Sequence, residues 1–331
     1  MLPLLGFHPD RLDPLLALIA GLAVDAALGD PPALFRVVPH PVALLGRLIA
    51  LLEDRLNRPD LDGERRRRHG ILTVLAVVFL AALAGVLIDR LAARLPWGDL
   101  LVIIAIAMLV AQRSLYDHVA AVGRALASGG LMAGRDAVRH IVGRNPESLD
   151  SAGVARAAIE SLAENFSDGV VAPVFWYVLL GLPGLCAYKA INTLDSMIGH
   201  RSERYRDFGW AAARLDDLAN LAPARLAGLL LALAASVLPA ATGGAALAAM
   251  LRDAGKHRSP NAGWPEAAMA GALNVALAGP RRYGCEVVND PWVGPGTPQV
   301  GAADIGRALD VYVVACVVEA ALLAILALIR L

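Results

Sequence analysis

The stretch Glu160-Ser161-Leu162-Ala163-Glu164-Asn165-Phe166-Ser167-Asp168-Gly169 stands directly before an uncharged run, residues 169–188. Asn192-Thr193-Leu194-Asp195-Ser196-Met197-Ile198-Gly199-His200 and Arg214-Leu215-Asp216-Asp217-Leu218-Ala219-Asn220 follow it. Asp150 or Ser151 supplies a cap for a helix whose apolar face is Ala155, Ile159, Leu162 and Phe166. Arg156, Glu160 and Glu164 recur at i, i+4 on another face, and Asp168 falls within the same arc of ~80° at 3.6 residues per turn. The uncharged run is about twenty residues, long enough to span a bilayer, but Gly181-Leu182-Pro183-Gly184 interrupts it. The expected form is a re-entrant or hairpin segment. Acids and amides are expensive beside lipid and by default have a job there.

The whole chain is apolar enough to make lipid its solvent. Of 331 residues 57% are hydrophobic and 18% charged, with a mean hydropathy of +0.57; soluble domains carry about 25% charge. Lys+Arg and Asp+Glu both number 30, which argues against a general nucleic-acid binder. Cys186, Cys285 and Cys316 are far apart and form no C-x-x-C pair, so neither a zinc site nor a disulfide framework is indicated.

The remaining chain reads as an all-α, polytopic membrane protein with about 4–6 transmembrane or re-entrant helices and cytoplasm-facing amphipathic helices. Residues 12–28 form an uncleaved first span that carries Asp25. A Pro/Gly loop through Asp30, Pro31, Pro39 and His40 leads to residues 42–56, an amphipathic helix expected at the membrane surface. Arg65 to Arg68 abut the apolar run 71–87 and mark the cytoplasmic side. Pro96-Trp97-Gly98 is an outer turn, residues 100–111 return, and Ser128-Gly129-Gly130 ends the amphipathic continuation. Residues 226–251 are long for one span and short for two, so their topology stays open. A small-residue helix over 267–278, a Gly/Pro loop to Gly301 and a last span over 311–329, with Glu319 inside it, complete the chain. One membrane-embedded domain, 1–331, is the simplest organisation, with cytoplasm-facing loops at 29–70, 112–168, 189–225 and 252–307.

Three acid-amide clusters, all expected on one side, suit a metal-phosphate site. Carboxylates are hard oxygen ligands for Mg²⁺, which brings phosphate with it. Arg214, Arg225, Lys256, Arg258, Arg281 and Arg282 are candidates for phosphate or carboxylate groups. The chain has no P-loop, no G-x-G-x-x-G, no H-E-x-x-H and no G-x-S-x-G elbow.

The ordered set of motifs resembles the CobD/CbiB family, the membrane-bound (adenosyl)cobinamide-phosphate synthases of cobalamin biosynthesis. The likeness rests on Asp25-x4-Asp30-Pro31, His40-Pro41-Val42, Glu160 to Gly169, Tyr188-Lys189-Ala190-Ile191-Asn192 to Met197, Ala213 to Asp217, Pro223-Ala224-Arg225, and Ser259-Pro260-Asn261-Ala262-Gly263-x-Pro265-Glu266. It implies a carbon-nitrogen ligase in the cell (inner) membrane, with its active site facing the cytoplasm. The reaction it implies joins (R)-1-amino-2-propanol or its O-phosphate to a propionate carboxylate of adenosylcobyric acid, driven by ATP with Mg²⁺. The corrinoid is substrate and not cofactor, and other membrane-associated cobalamin-assembly enzymes are the implied company. In that light Glu160, Glu164, Asp168 and Asp195 are the catalytic candidates. Asp30, His40, Asn165, Asn192, Arg214, Arg225, Lys256, Ser259, Asn261 and Arg282 are candidates for binding substrate or phosphate. Glu164, Asp168, Asp216 and Asp217 are the metal candidates, and which carboxylate acts as base stays open.

Two other classes compete. An AmpE-like membrane sensor would not need both the NTLDS and SPNAGWPE motifs. A transporter would use broken helices and the intramembrane acids Asp25 and Glu319, but no inverted repeat is visible.

Overall fold

The computed structural model describes residues 11–31, 35–36, 39–142, 146–283 and 286–330, with side chains of 281–288 outside the description. It is mostly helical, as the composition requires. Four helical stretches are long and apolar enough to cross a membrane: Gly63–Ala92, Gly98–Val138, Ser151–Ile198 and Ala302–Arg330. A fifth is added if Trp210–Ala219 and Leu221–Val237 count as one broken span. The chain clusters into two compact units.

The first unit takes in Met1–Ala111, Ala172–Asn220 and Leu323–Leu331. Its helix α1 (Pro14–Leu28) starts where the Asp13 carboxylate accepts the Leu15 N–H at 2.8 Å, with proline at the first helical position. Helix α2 (Pro41–Leu56) forms over the expected amphipathic segment. Helix α3 (Gly63–Ala92) is capped by Asp62 and turns Leu72, Leu75, Phe79, Leu83 and Leu87 outward at helical spacing. That stripe is the lipid face. The opposite stripe, Val74, Val77, Ala81 and Gly85, is buried. The Leu56 carbonyl meets the His69 ring at 2.9 Å. At the other end Leu44, Leu45 and Leu48 line one apolar hollow with Leu80, Ala84 and Ile88. Helix α2 therefore runs antiparallel alongside α3, burying Ile49 while Leu44 and Leu51 stay exposed. Helix α4 (Gly98–Ala107) lies against α1 at Gly21, where a Cβ would meet Ile106 at 2.6 Å.

The second unit takes in Gln112–Val171 and Leu221–Leu322. Helix α5 (Gln112–Val138) contains Gly130 at φ 68°, ψ −162°. A Cβ on Gly134 would meet Leu126 at 2.9 Å, although eight helical residues span about 12 Å. The chain folds back at Gly130. Helix α6 (Ser151–Phe166) opens at the Asp150 cap, and a π-helical turn, Ser167–Val171, follows it.

Helix α7 (Ala172–Ile198), in the first unit, has the same feature at Gly181, φ 71°, ψ −160°. Ala172, Trp176, Tyr188 and Ile191 share one buried cluster with Ala219. In a straight helix Ala172 and Tyr188 would lie about 24 Å apart. A Cβ on Gly184 would meet the Trp176 carbonyl oxygen at 2.4 Å. The expected hairpin is present. Its uncharged entry, Gly169 to Leu180, is roughly 18 Å long, too short for a bilayer core of about 30 Å. The chain folds back on itself at Gly181. Helix α8 (Trp210–Ala219) completes this unit.

In the second unit the open question over residues 226–251 resolves into two helices, α9 (Leu221–Val237) and α10 (Gly243–Asp253), broken at Pro239. Gly243 sits against the Ala232 carbonyl and Ser236. Helix α11 (Gly263–Leu273) starts and ends earlier than the expected 267–278, stopped by Asn274 in the left-handed region. Small residues let α9, α10 and α11 approach closely: a Cβ on Gly271 would meet the Ala245 carbonyl at 2.4 Å. Where a Gly/Pro loop was expected, β1 (Leu277–Tyr283) and β2 (Glu286–Val293) form an antiparallel hairpin with a register shift at Ala278/Pro280. Pro280 sits at that irregularity, where a missing N–H is tolerated. Helix α12 (Ala302–Arg330) is the last long apolar helix.

Positive φ with ψ near ±160° is open essentially to glycine alone. Gly130→Ala and Gly181→Ala are each expected to lower stability by about 1–3 kcal/mol, read as the midpoint of chemical unfolding in detergent micelles. Gly244→Ala, with open space at the Cβ position, does not lower it.

Candidate functional site: two sets of carboxylates

The first set is assembled by α7 and α8. Tyr188, Asn192 and Asp195 fall at i, i+4 and i+7 on the returning arm of the hairpin. The chain then turns back through two tight glycines. A Cβ on Gly199 would overlap the Asp195 carboxylate, and one on Gly209 would overlap the Ile198 carbonyl. Asp216 and Asp217 then arrive on α8, and Asp216 interacts electrostatically with Asp195 and Asp217. Asn220 donates to Asp216 Oδ2 at 3.0 Å, and the Asn192 amide also approaches this carboxylate. Asp216 Oδ1 is buried with no well-formed hydrogen bond from a donor among the described residues. Arg214 approaches Asp217 at 3.4 Å and is largely exposed.

The arginine run meets the loop between α7 and α8. Arg66 donates to the Arg204 carbonyl, Arg204 pairs with Glu53 at 2.7 Å, and the Arg67 guanidinium lies 3.6 Å over the Trp210 ring. Arg65 to Arg68 thus share an end of this unit with the base of α8. His40 caps α2: its Nδ1 accepts the Val42 N–H at 3.2 Å, and Nε2 faces Asp30 at 3.5 Å. An accepting Nδ1 leaves the proton on Nε2 and directs it to the carboxylate.

The second set lies in the other unit. The Glu160, Glu164, Asp168 ladder forms on one helix, but its members meet different surroundings. Glu160 is buried and its Oε1 accepts the Ala278 N–H at 2.8 Å, holding a non-glycine residue at φ 57°. Glu164 and Asn165 are exposed and Asp168 is half-buried. Asn165 Nδ2 donates to the Ser161 carbonyl at 2.9 Å.

The polar loop before α11 is cross-braced. Ser259 Oγ accepts the N–H groups of Asn261 and Ala262, each at 3.2 Å. Arg225 reaches Asn261 Oδ1 at 3.5 Å and stacks 4.3 Å over Trp264. Lys256 is fixed by Asp253 at 2.8 Å and by the Trp292 carbonyl at 3.2 Å. The Arg252 guanidinium beside Asp253 holds that carboxyl well below the usual range, helped by Lys256 and the Gly294 N–H. A depressed acid stabilises the fold above its unfolded pKa, and this contribution is lost only as pH falls through the lower folded value. The side chain of Arg282 lies outside the described residues.

The sequence alone made no site candidate of Tyr188, Trp264 or Asp253. The i, i+4, i+7 spacing of Tyr188 with Asn192 and Asp195 was an available signal. Among the described residues no three His, Cys, Asp or Glu side chains already converge on a common metal position. The Asp216 oxygen without a well-formed hydrogen bond, with Asp195 and Asp217 beside it, supplies hard carboxylate oxygens that fit Mg²⁺ completed by water and phosphate.

Apolar helices with a lipid-facing stripe, a re-entrant hairpin and acids gathered at its base define a polytopic helical membrane protein with a polar site. The family model for CobD/Cbib protein matches residues 18–312. The Sinorhizobium sp "Cobalamin biosynthesis protein CobD" is 51% identical over 318 residues, 95% of this chain and 98% of that protein. The proteins of the same name from Rhodobacter capsulatus and Brucella suis biovar 1 are each 51% identical. They cover 89% and 90% of this chain and 91% and 92% of their own lengths. No solved structure matches. The chain belongs to the CobD/CbiB family of cobalamin biosynthesis proteins.

Losing the Glu160 acceptor leaves a buried N–H unpaired, at about 1–3 kcal/mol. Glu160→Ala is expected to lower the unfolding midpoint accordingly, while Glu164→Gln on the exposed face leaves it unchanged.

Proposed function

We propose that the protein is an ATP-dependent carbon-nitrogen ligase. It would join (R)-1-amino-2-propanol or its O-phosphate to the propionate carboxylate of adenosylcobyric acid. The observation that carries this reading is the Asp195, Asp216, Asp217 cluster with its unpartnered buried oxygen, in a family of cobalamin biosynthesis proteins. A carboxylate is a poor electrophile. The reaction class is therefore transfer of the ATP γ-phosphoryl group to the propionate with loss of ADP, then attack of the amine with loss of phosphate.

Asp195, Asp216 and Asp217 would hold Mg²⁺. Bound there, the ion neutralises charge on the phosphate oxygens. Arg214, exposed and only loosely paired, offers a guanidinium to anionic oxygens. Arg225, held between Asn261 and Trp264, is a separate candidate guanidinium within the second unit. Glu164 and Asp168 are the accessible acids of the ladder, and one of the carboxylates takes the ammonium proton. Glu160 is the weaker chemical candidate, since Ala278 already uses one of its oxygens. By the positive-inside rule the end of α3 that carries Arg65 to Arg68 faces the cytoplasm of the inner membrane. The base of α8 goes with it, where a large amphipathic corrinoid has access from the leaflet.

Purified protein in detergent is expected to convert adenosylcobyric acid only with ATP, Mg²⁺ and one of the two amines, followed by chromatography of the corrinoid. Asp216→Asn is expected to lower turnover about 10²–10³-fold, the usual cost of one group that stabilises transition-state charge. Absence of product with either amine refutes the ligase reading. Full turnover in Asp216→Asn refutes the placement of the metal.

A further inference from the structure

We infer that Tyr188 and Asn220 form a positioning relay that sets the orientation of the Asp216 carboxylate for a divalent cation. Tyr188 and Asn220 are each about 1% exposed, and the Tyr188 hydroxyl lies 2.9 Å from Asn220 Oδ1. Asn220 Nδ2 lies 3.0 Å from Asp216 Oδ2. With Asp216 ionised, as holding a cation requires, the chemistry permits one polarity. An ionised carboxylate only accepts, so the amide must turn its NH₂ to Asp216 and its oxygen to Tyr188, which must then donate. Each link fixes the next. One carboxylate oxygen is held by the relay; the other, Oδ1, has no well-formed hydrogen bond, although the Asn192 amide stands beside the carboxylate.

The two relay residues come from different elements, Tyr188 from α7 and Asn220 from the C-cap of α8, one turn after Asp216. Tyr188 sits in the buried cluster of the hairpin with Ala172 and Ala219. The Trp176 indole N–H donates to the Ala219 carbonyl at 3.1 Å, which pins the residue just before Asn220. The relay therefore stands on a rigid frame and reaches the carboxylate through a single amide. Removing the Tyr188 hydroxyl leaves a buried Asn220 oxygen without its donor. The amide then keeps only its bond to Asp216 and loses the anchor on its other side, so the direction from which it holds the carboxylate is no longer fixed.

The relay rests on the reading that Asp216 holds the metal, and the test separates the two. Mn²⁺ serves as the probe, with free ion followed by electron paramagnetic resonance on the full chain in detergent. Tyr188→Phe, which keeps the ring and its packing, and Asn220→Ala are each expected to weaken Mn²⁺ binding about 10–100-fold, as loss of an outer-shell partner does. The apparent KM for Mg²⁺ is expected to rise more than kcat falls. Tyr177→Phe, another buried tyrosine of the same hairpin, is expected to bind Mn²⁺ as the unaltered protein does. Wild-type binding in both relay variants, with binding lost in Asp216→Asn, overturns the relay alone. Wild-type binding in Asp216→Asn overturns the metal placement beneath it. An equal loss in Tyr177→Phe also overturns the relay, since disturbed hairpin packing would then account for the effect.

Discussion

A helix that enters a bilayer and leaves by the same face must reverse while keeping its backbone hydrogen bonds inside the protein. Gly181 meets that requirement with φ 71° and ψ −160°, a conformation that a Cβ would forbid. The rest of the first unit's polar site depends on it. Pro183 falls in the first turn of the returning arm, where a missing N–H costs nothing. Its backbone lies against Gly85 of α3, where a Cβ would come within 2.7 Å. The returning arm then carries Tyr188, Asn192 and Asp195 on one face to the level where α8 begins. Without the reversal, the apolar run would carry those residues away from the arginine-rich end of α3.

Much of this was legible because the signals were local. Gly181-Leu182-Pro183-Gly184 inside an uncharged run announces a break, and Arg65 to Arg68 beside an apolar helix announce a membrane boundary. Asp150 acts as the cap expected from its position. What was not legible depended on distant partners. The β1/β2 hairpin is hidden behind Pro280 and the glycines around it, because strand pairing is a contact between segments and these residues read as loop. The split of residues 226–251 is set by Gly243 docking on Ala232 and Ser236, which composition alone does not reveal.

The acid ladder shows the same limit more sharply. Spacing of i, i+4 establishes that Glu160 and Glu164 share a face, and says nothing about whether that face is wet. Packing of β1 against one turn of α6 buries Glu160 and leaves Glu164 exposed. A helix face read from sequence is an arc of directions, and the boundary between core and solvent here passes through it.

Partner count then separates structural carboxylates from chemically available ones. Asp253 is fully buried, yet both its oxygens are engaged, by Arg252, Lys256 and the Gly294 N–H. Such an acid braces its loop, and it also occupies the charge of Lys256, which therefore makes a weaker phosphate ligand than loop chemistry suggested. Asp216 is the opposite case. One oxygen is held by a buried amide and the other has no well-formed hydrogen bond. A buried acceptor left without a donor costs about 1–3 kcal/mol, and two further carboxylates nearby add repulsion. A divalent cation offsets both terms at once, which neither a neutral ligand nor a single hydrogen-bond donor would do.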